Sequence, residues 1–591
     1  MGFQYFKSDI KNYLPTTLQS HLNFSMKLVL SFVAVMVALI APSPSLADQK
    51  AAVVTAPAAR ANCPLETGEG GKNLITMNQP PDSPLIHGPS IYGSWPDAPF
   101  QLAIAATGRA PITFTAERLP AGLRLDPNTG IISGSPATAG TTKVTVHARN
   151  KIGTATATIE IVIGPTLALT PPLGWNSWDS YGDTITESEF LANAAAVAKY
   201  LKPHGWQCVI VDSGWYDPLA RNNHPLTYTN AMFPVDEYGR LIPAVGRWPS
   251  SAGGKGFKPV ADKVHAMGLK FGLHIWRGIP RSAVEANTPI LGTTFKAADI
   301  ARKDDVFYWY PFFYGVRFDT PVAQAYYDSL FRQFAEWGVD FVKVDHIIDD
   351  YDPEYIHAIH LAIKRCGRPI VFSASAGPLS TDKASDISAN ANMWRITGDM
   401  WDSWSKVKEA MDVAATWTRY AGPGHWPDLD LLPLGHISVT GRCADPDHLC
   451  RLTHEEQMTL MTLWNIAPSP LILSGSMVDA DPWLLALLSN DEVLAVNQDV
   501  AGNPARRIRS KDGFEVWAKD LYGGSKAVAL FNCTAGAAEV EVTWQELGLA
   551  GPQRVRNLWQ RKDCGVAEER VTLQVSSHSA ALLRLSPEGR N

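Results

Sequence analysis

Cysteine is scarce in this chain: seven in 591 residues, none in a C-x-x-C pair. That excludes a disulfide scaffold and argues against a structural zinc site built on paired thiolates. Long apolar runs are scarce too. The longest, residues 28–40 (LVLSFVAVMVALI), falls short of the roughly 20 residues a membrane-crossing helix needs. Blocks of like charge are missing, with 52 basic and 58 acidic residues spread along the chain for a net charge of -6. A nucleic-acid footprint or a basic membrane-binding face is therefore not expected. There is no P-loop and no Gly-rich dinucleotide loop, and His454-Glu455-Glu456-Gln457-Met458 lacks the second histidine of a zinc protease helix. No His or Cys clusters fall at the ends of the strand-like runs, so no metal, nucleotide or organic cofactor is expected.

What is abundant is apolar and aromatic: 46% hydrophobic residues, 10% aromatic, and 19 Trp, with 45 Gly and 42 Pro. General disorder is excluded. The length suits three or four domains, three if one is a large barrel. Many Trp amid Gly- and Pro-rich loops fit aromatic walls around an uncharged partner such as a sugar, although most Trp simply fill cores.

The pattern changes several times along the chain. Residues 1–47 read as a signal peptide, with Lys27, the apolar run and then Ser45-Leu46-Ala47 as the small-residue cleavage site. Export to the periplasm or medium is expected, with Met26 as an alternative start. Residues 48–81, rich in Ala, Pro, Gly and Thr, read as a linker. Residues 82–166 alternate in short strands (FQLAIAA, ITFTA, TKVTVHA, ATATIEIVI) between turns at Asp126-Pro127-Asn128-Thr129-Gly130 and Gly134-Ser135-Pro136, which predicts an Ig-like β-sandwich. From 170 to 500, eight apolar strand-like runs alternate with amphipathic stretches, the arithmetic of a (β/α)8 TIM barrel. Residues 501–588 return to alternating strands and predict a C-terminal antiparallel β-sandwich. Cys443 and Cys450 share a polar loop and are expected to form a disulfide in an oxidising compartment.

In such a barrel the functional groups come from the C-terminal ends of the strands. Nearly every run ends in polar residues: Trp178 and Asp179 after the first, Asp212 and Ser213 after the second, His274 and Arg277 in the third. Lys343 and Asp345 follow in the fourth, Arg395, Asp399 and Asp402 in and after the sixth, and Asp428 and Asp430 in the seventh. Lys343 and Asp345 are two apart and share a face, so both point into the mouth, where the ammonium would hold the carboxylate ionised. Two carboxylates, a cation beside one, and Trp around an uncharged ligand are the equipment of glycoside hydrolysis. A lone strand-end Asp more often caps the next helix, a role open to Asp179, Asp217 and Asp402.

LGWNSWDSYG, VIVDSGWYD, FVKVDH, ANMWRITGDMWDSW, AGPGHWPDLDLL, EEQMTLMTLWNIAPSPLILSG and EVLAVNQD together resemble the melibiase-type α-galactosidases, glycoside hydrolase family 27, over residues 170–586. The Ig-like module resembles an extension found in a bacterial branch of that family. The resemblance implies a retaining exo-glycosidase acting on a carbohydrate with a galactose-like non-reducing end. It makes Asp345 the nucleophile and Asp399 the general acid/base, the latter held protonated by a less charged setting. It places Trp178, Asp212, Lys343, Arg395 and Asp430 on the sugar. Ser213, His274 and Ser375 stand where the family carries an acid, a tyrosine and an acid, so sugar choice departs here. The alternatives are β-L-arabinopyranosides, α-N-acetylgalactosaminides or isomalto-units, and, from another class, a non-catalytic glycan-binding protein.

Overall fold

In a computed structural model of the chain, residues 74–76, 81–221, 232–307, 310–348, 350–441 and 445–589 are described. The signal segment, most of the linker and Cys443 lie outside them. Residues 82–166 form two small packed sheets and a two-stranded pair, Leu85–Ile86 with Ala106–Thr107. One pairs Ile91–Ser94, Thr154–Ile163, Gly140–Arg149 and Thr113–Glu117; the other pairs Phe100–Ala103, Ile131–Gly134 and Leu123–Leu125. Alternation places Ile132, Val144, Val146, Ile159 and Ile161 between the sheets while their neighbours face out. The Asp126 carboxylate turns the chain by accepting from the backbone N–H of Asn128 at 2.8 Å.

The central unit is a parallel eight-stranded sheet. Its strands are β1 (Leu173–Asn176), β2 (Cys208–Val211), β3 (Lys270–Trp276), β4 (Phe341–Asp345), β5 (Val371–Ala374), β6 (Met393–Arg395), β7 (Trp426–Asp428) and β8 (Leu471–Leu473). They run in chain order, with β8 beside β1, and a parallel bridge from Leu432, just past β7, to Leu473 closes the ring. Each expected run thus became a strand, buried on both faces because side chains fill the inside and helices cover the outside. The first long helix, α1 (Glu187–Tyr200), starts at a capping box in which Thr186 and Glu189 satisfy each other's backbone N–H groups. A second, α2 (Val322–Trp337), ends on Gly338 in the left-handed conformation.

Residues 506–587 form a six-stranded antiparallel sheet and a two-stranded antiparallel sheet of Ala538–Thr543 and Arg570–Val575. This sandwich rests on helix α3 (His454–Ile466), in which every residue from Glu456 onward is buried. Trp559 donates from Nε1 to Thr462 Oγ1 at 2.9 Å, and Lys519 Nζ donates to the Val496 carbonyl at 2.8 Å. The Ig-like module docks on the opposite, N-terminal end of the barrel, where Gln101 Nε2 donates to the carbonyls of His265 and Leu269, each at 3.2 Å. Among the described residues no helix is long and apolar enough to cross a membrane.

The expected Cys443–Cys450 bridge is corrected: the Cys450 thiol is free. Burial in the loop packed over α3 pushes that thiol up to about 12, which suits a core group rather than an exposed reactive one.

Candidate active site

Parallel register brings the strand-end residues together. Across β3 and β4, His274 sits beside Lys343 and Trp276 beside Asp345; across β6 and β7, Arg395 sits beside Asp428. Their side chains meet at a cavity of about 340 Å³ at the C-terminal end of the barrel. Its walls include Trp178, Asp212, Ser213, Lys343, Asp345, Arg395, Asp399 and Asp430. That volume lies at the low end of small-molecule sites and suits one sugar ring with its linkage.

The Lys343 ammonium is buried and lies 3.0 Å from Asp212 Oδ2 and 3.5 Å from Asp345 Oδ2. Asp212 is itself fixed by Asn176 Nδ2 at 2.7 Å. His274 is wholly buried, and its Nε2 lies 2.8 Å from Asp345 Oδ2, so the N–H must face the carboxylate. Burial acts to raise the Asp345 carboxyl, but the Lys343 charge and the His274 contact outweigh it and hold the group well below the usual carboxylate range. The two carboxylates reciprocally hold Lys343 charged against a burial effect that opposes it.

On the other wall, Arg395 Nη2 donates to Asp399 Oδ1 at 2.5 Å and Nη1 to Asp430 Oδ1 at 3.4 Å. Asp399 is the open one of the two proposed catalytic acids: its side chain is 60% exposed against 14% for Asp345. The expectation of a less charged setting for Asp399 is corrected by this guanidinium. Asp430 adopts a positive φ of 84°, a conformation that Asp tolerates better than most residues. It is held there by its N–H to Asp428 and by Met400 N–H donating to Oδ2 at 2.8 Å. Burial and then the Asp430 charge push the Asp428 carboxyl up to about 7.

His274 and Ser375 do not line the cavity. His274 stands behind Asp345, and Ser375 is 2% exposed with its Oγ unpartnered, while the next residue, Ala376, forms the wall. Asp402 is not a helix cap: its carboxylate holds the Arg451 backbone and side chain at 2.8 and 3.2 Å. Sequence reasoning missed Trp276, Phe307, His346 and Trp401, which complete the wall. Trp276 stacks on Tyr310 with centroids 4.7 Å apart and donates from Nε1 to Ser213 Oγ at 3.1 Å. For Phe307 the signal was aromatic crowding after β3, in FYWYPFFY.

Comparison with known proteins agrees with this architecture. The family described as Alpha galactosidase A matches residues 318–499, its C-terminal beta sandwich domain matches 511–585, and an Ig domain family matches 83–164. A β-L-arabinopyranosidase of glycoside hydrolase family 27 from Geobacillus stearothermophilus is 46% identical. It covers 72% of this chain and 98% of its own, with a TM-score of 0.69. The α-galactosidase of Cyamopsis tetragonoloba is 27% identical over 431 residues, 71% of this chain and 87% of its own. Human α-galactosidase A is 28% identical over 393 residues, 62% of this chain and 75% of its own. The chain belongs to glycoside hydrolase family 27, the melibiase-type α-galactosidase family, and is a glycoside hydrolase.

Proposed function

We propose that the protein removes terminal α-galactosyl residues from oligosaccharides or polysaccharides by a retaining double displacement. The observation that carries the assignment is Asp345, a partly buried carboxylate kept ionised by Lys343 and His274 at the floor of a sugar-sized cavity, with the more exposed Asp399 on the rim. In the first step a carboxylate oxygen of Asp345 attacks the anomeric carbon, the bond to the leaving oxygen breaks, and Asp399 gives that oxygen its proton. In the second, Asp399 takes a proton from water, water oxygen bonds to the anomeric carbon, and the ester bond to Asp345 breaks. Asp212, Lys343, Arg395 and Asp430 supply charged hydrogen bonds to ring hydroxyls, and Trp178 an apolar wall.

A second reading is favoured by the wall between β2 and β3. Ser213 stands where the family's second acid would grip the sugar, and its Oγ is occupied by the Trp276 indole. An apolar ring there suits a galactose-configured pyranose without an exocyclic CH2OH, that is, a β-L-arabinopyranoside. A lost charged hydrogen bond to a substrate hydroxyl costs about 1.5–3 kcal/mol, enough to redirect specificity.

The test is turnover of 4-nitrophenyl α-galactoside and β-L-arabinopyranoside, with Asp345→Asn as the blank. Release from the first supports the leading reading, and release from the second alone moves the assignment to the pentoside. Release that persists in Asp345→Asn would place the nucleophile elsewhere. Export after cleavage at Ala47 belongs to the same proposal, and the mass of the protein recovered outside the cell tests it.

A further inference from the structure

We propose that His87, His204 and Asp491 form a binding site for a tetrahedral divalent cation of the zinc type, clamping the Ig-like module to the base of the barrel. The three come from separate parts of the chain. His87 follows the short strand Leu85–Ile86 of the Ig-like module, and its backbone N–H is fixed to the Ala105 carbonyl at 2.9 Å. His204 ends the single turn Lys202–His204 between α1 and β2. Asp491 opens the helix Asp491–Asn497 near the end of the barrel domain.

One ligand atom from each of the three lies within 4.8 Å of the others. His87 Nδ1 is 3.3 Å from Asp491 Oδ2, and His204 Nδ1 is 2.7 Å from Asp491 Oδ1. Ligands about 2.0–2.1 Å from zinc are about 3.3 Å apart along a tetrahedral edge; His87 has that span to Asp491 Oδ2 while His204 contacts the other oxygen, Oδ1, so a shared cation takes both carboxylate oxygens or draws one ring across to the other's oxygen. The His204 contact needs to open by a few tenths of an ångström. His87 also carries the outer partner that metal-bound imidazoles use: its far nitrogen, Nε2, lies 2.7 Å from Thr107 Oγ1, which orients the ring and leaves Nδ1 facing the cluster. The side chains are 11%, 12% and 22% exposed, open enough for water to complete the coordination.

The surrounding backbone holds the ligands in place without a cation. A Cβ at Gly205, whose φ is +95°, would fall 2.2 Å from the Gly88 carbonyl oxygen, so only glycine lets the two modules approach this closely. No metal was expected because the strand ends offer no clustered His or Cys, and these three ligands, far apart along the chain, form no local motif. A single carboxylate with Arg561 within electrostatic reach implies affinity of moderate strength. The site lies at the end of the barrel away from Asp345, so its role is to stiffen the seam.

The test uses the full chain without a histidine tag, stripped with chelator and titrated with ZnCl2 by calorimetry, with Co2+ absorption as a probe of tetrahedral geometry. The expected result is one zinc per chain, a raised Tm, and a tetrahedral cobalt spectrum. These are lost in His87→Ala and in the nearly isosteric Asp491→Asn, kept in His436→Ala, whose ring is paired with Asp447 and Asp479 instead, and accompanied by unchanged aryl-glycoside hydrolysis in all three. Absence of stoichiometric zinc in the wild-type chain, or its persistence in both His87→Ala and Asp491→Asn, overturns the proposal and leaves the cluster as a pair of His–Asp hydrogen bonds.

Discussion

Replacing Lys343 with Met separates the electrostatic role of the β4 pair from the rest of the site. Lys343 lies 3.5 Å from Asp345 and 3.0 Å from Asp212, with all three side chains at most 14% exposed. At that separation a unit charge pair interacts by about 4–5 kcal/mol for an effective dielectric near 20, which corresponds to an upper bound of about three to four pH units on the Asp345 carboxyl. In the wild type that carboxyl is held well below its usual range, so it imposes no acid limb on activity where the fold is intact. In Lys343→Met the burial effect, which raises the group, is opposed only by His274 and the more distant Arg395. An acid limb that the wild type lacks then enters the profile of kcat/KM.

A carboxyl depressed in the folded state contributes stability above its ordinary value of about 4, and that contribution is lost as pH falls toward the folded value. The variant loses this contribution and leaves two buried carboxylates facing each other, so at neutral pH it is less stable by about 3–5 kcal/mol. The assay is initial rates on an aryl galactoside or arabinopyranoside from pH 4 to 9, with Tm at each pH. A uniform fall in kcat/KM would report only a lost sugar contact. A folded variant that, like the wild type, shows no acid limb would refute the argument that Lys343 keeps the nucleophile ionised.

Asp399→Asn should slow natural oligosaccharides far more than aryl glycosides with good leaving groups, which need little protonation, and equal losses on both would remove Asp399 from the acid role. His274→Phe deletes the 2.8 Å contact to Asp345 and should lower kcat by roughly 10- to 150-fold, the equivalent of about 1.5–3 kcal/mol. His274→Tyr, which offers a hydroxyl donor, should restore part of it, and an unchanged kcat in the Phe variant would refute a role in orienting the nucleophile. Asp428, pushed up to about 7 by burial and the Asp430 charge, keeps its proton in the fold while an unfolded chain loses it near pH 4. Stability therefore falls as pH rises from about 4 to 7. Asp428→Asn should raise Tm at pH 8 by several degrees and leave it nearly unchanged at pH 4.5; the opposite pattern in thermal scans would show that the buried carboxylate is charged.

The barrel was legible because each strand carries a run of apolar residues that no helix pattern imitates, and because polar residues at the ends of those runs stand out against them. Lys343 and Asp345 were readable from a spacing of two, whereas Asp399 was told apart from Asp402 only by the family motif that places it four residues after Arg395. Trp276 and Phe307 were not, since an aromatic in a β-barrel reads as core until the register shows it facing the mouth. Ser375 looked like a sugar contact by position, yet the turn after β5 presents Ala376 instead. The nearness of Cys443 and Cys450 along the chain suggested a bridge, whereas the loop buries the Cys450 thiol beside α3. His87, His204 and Asp491 are separated by up to about four hundred residues, and only the docking of the Ig-like module brings them together.

The Ig-like module meets the barrel through Gln101 at the loop before β3, at the end where the strands begin, while Asp345 and Asp399 sit where the strands finish. The two ends of the barrel are therefore free to serve different masters: whatever is joined to the N-terminal module loads the molecule from behind, and the catalytic mouth keeps an unobstructed approach cone for a branched or insoluble glycan. Fixing the protein to a bead or a surface through that module should leave its turnover of large substrates close to that in free solution, whereas attachment through the loops around Trp401 would shade the opening and tax large substrates more heavily than small ones.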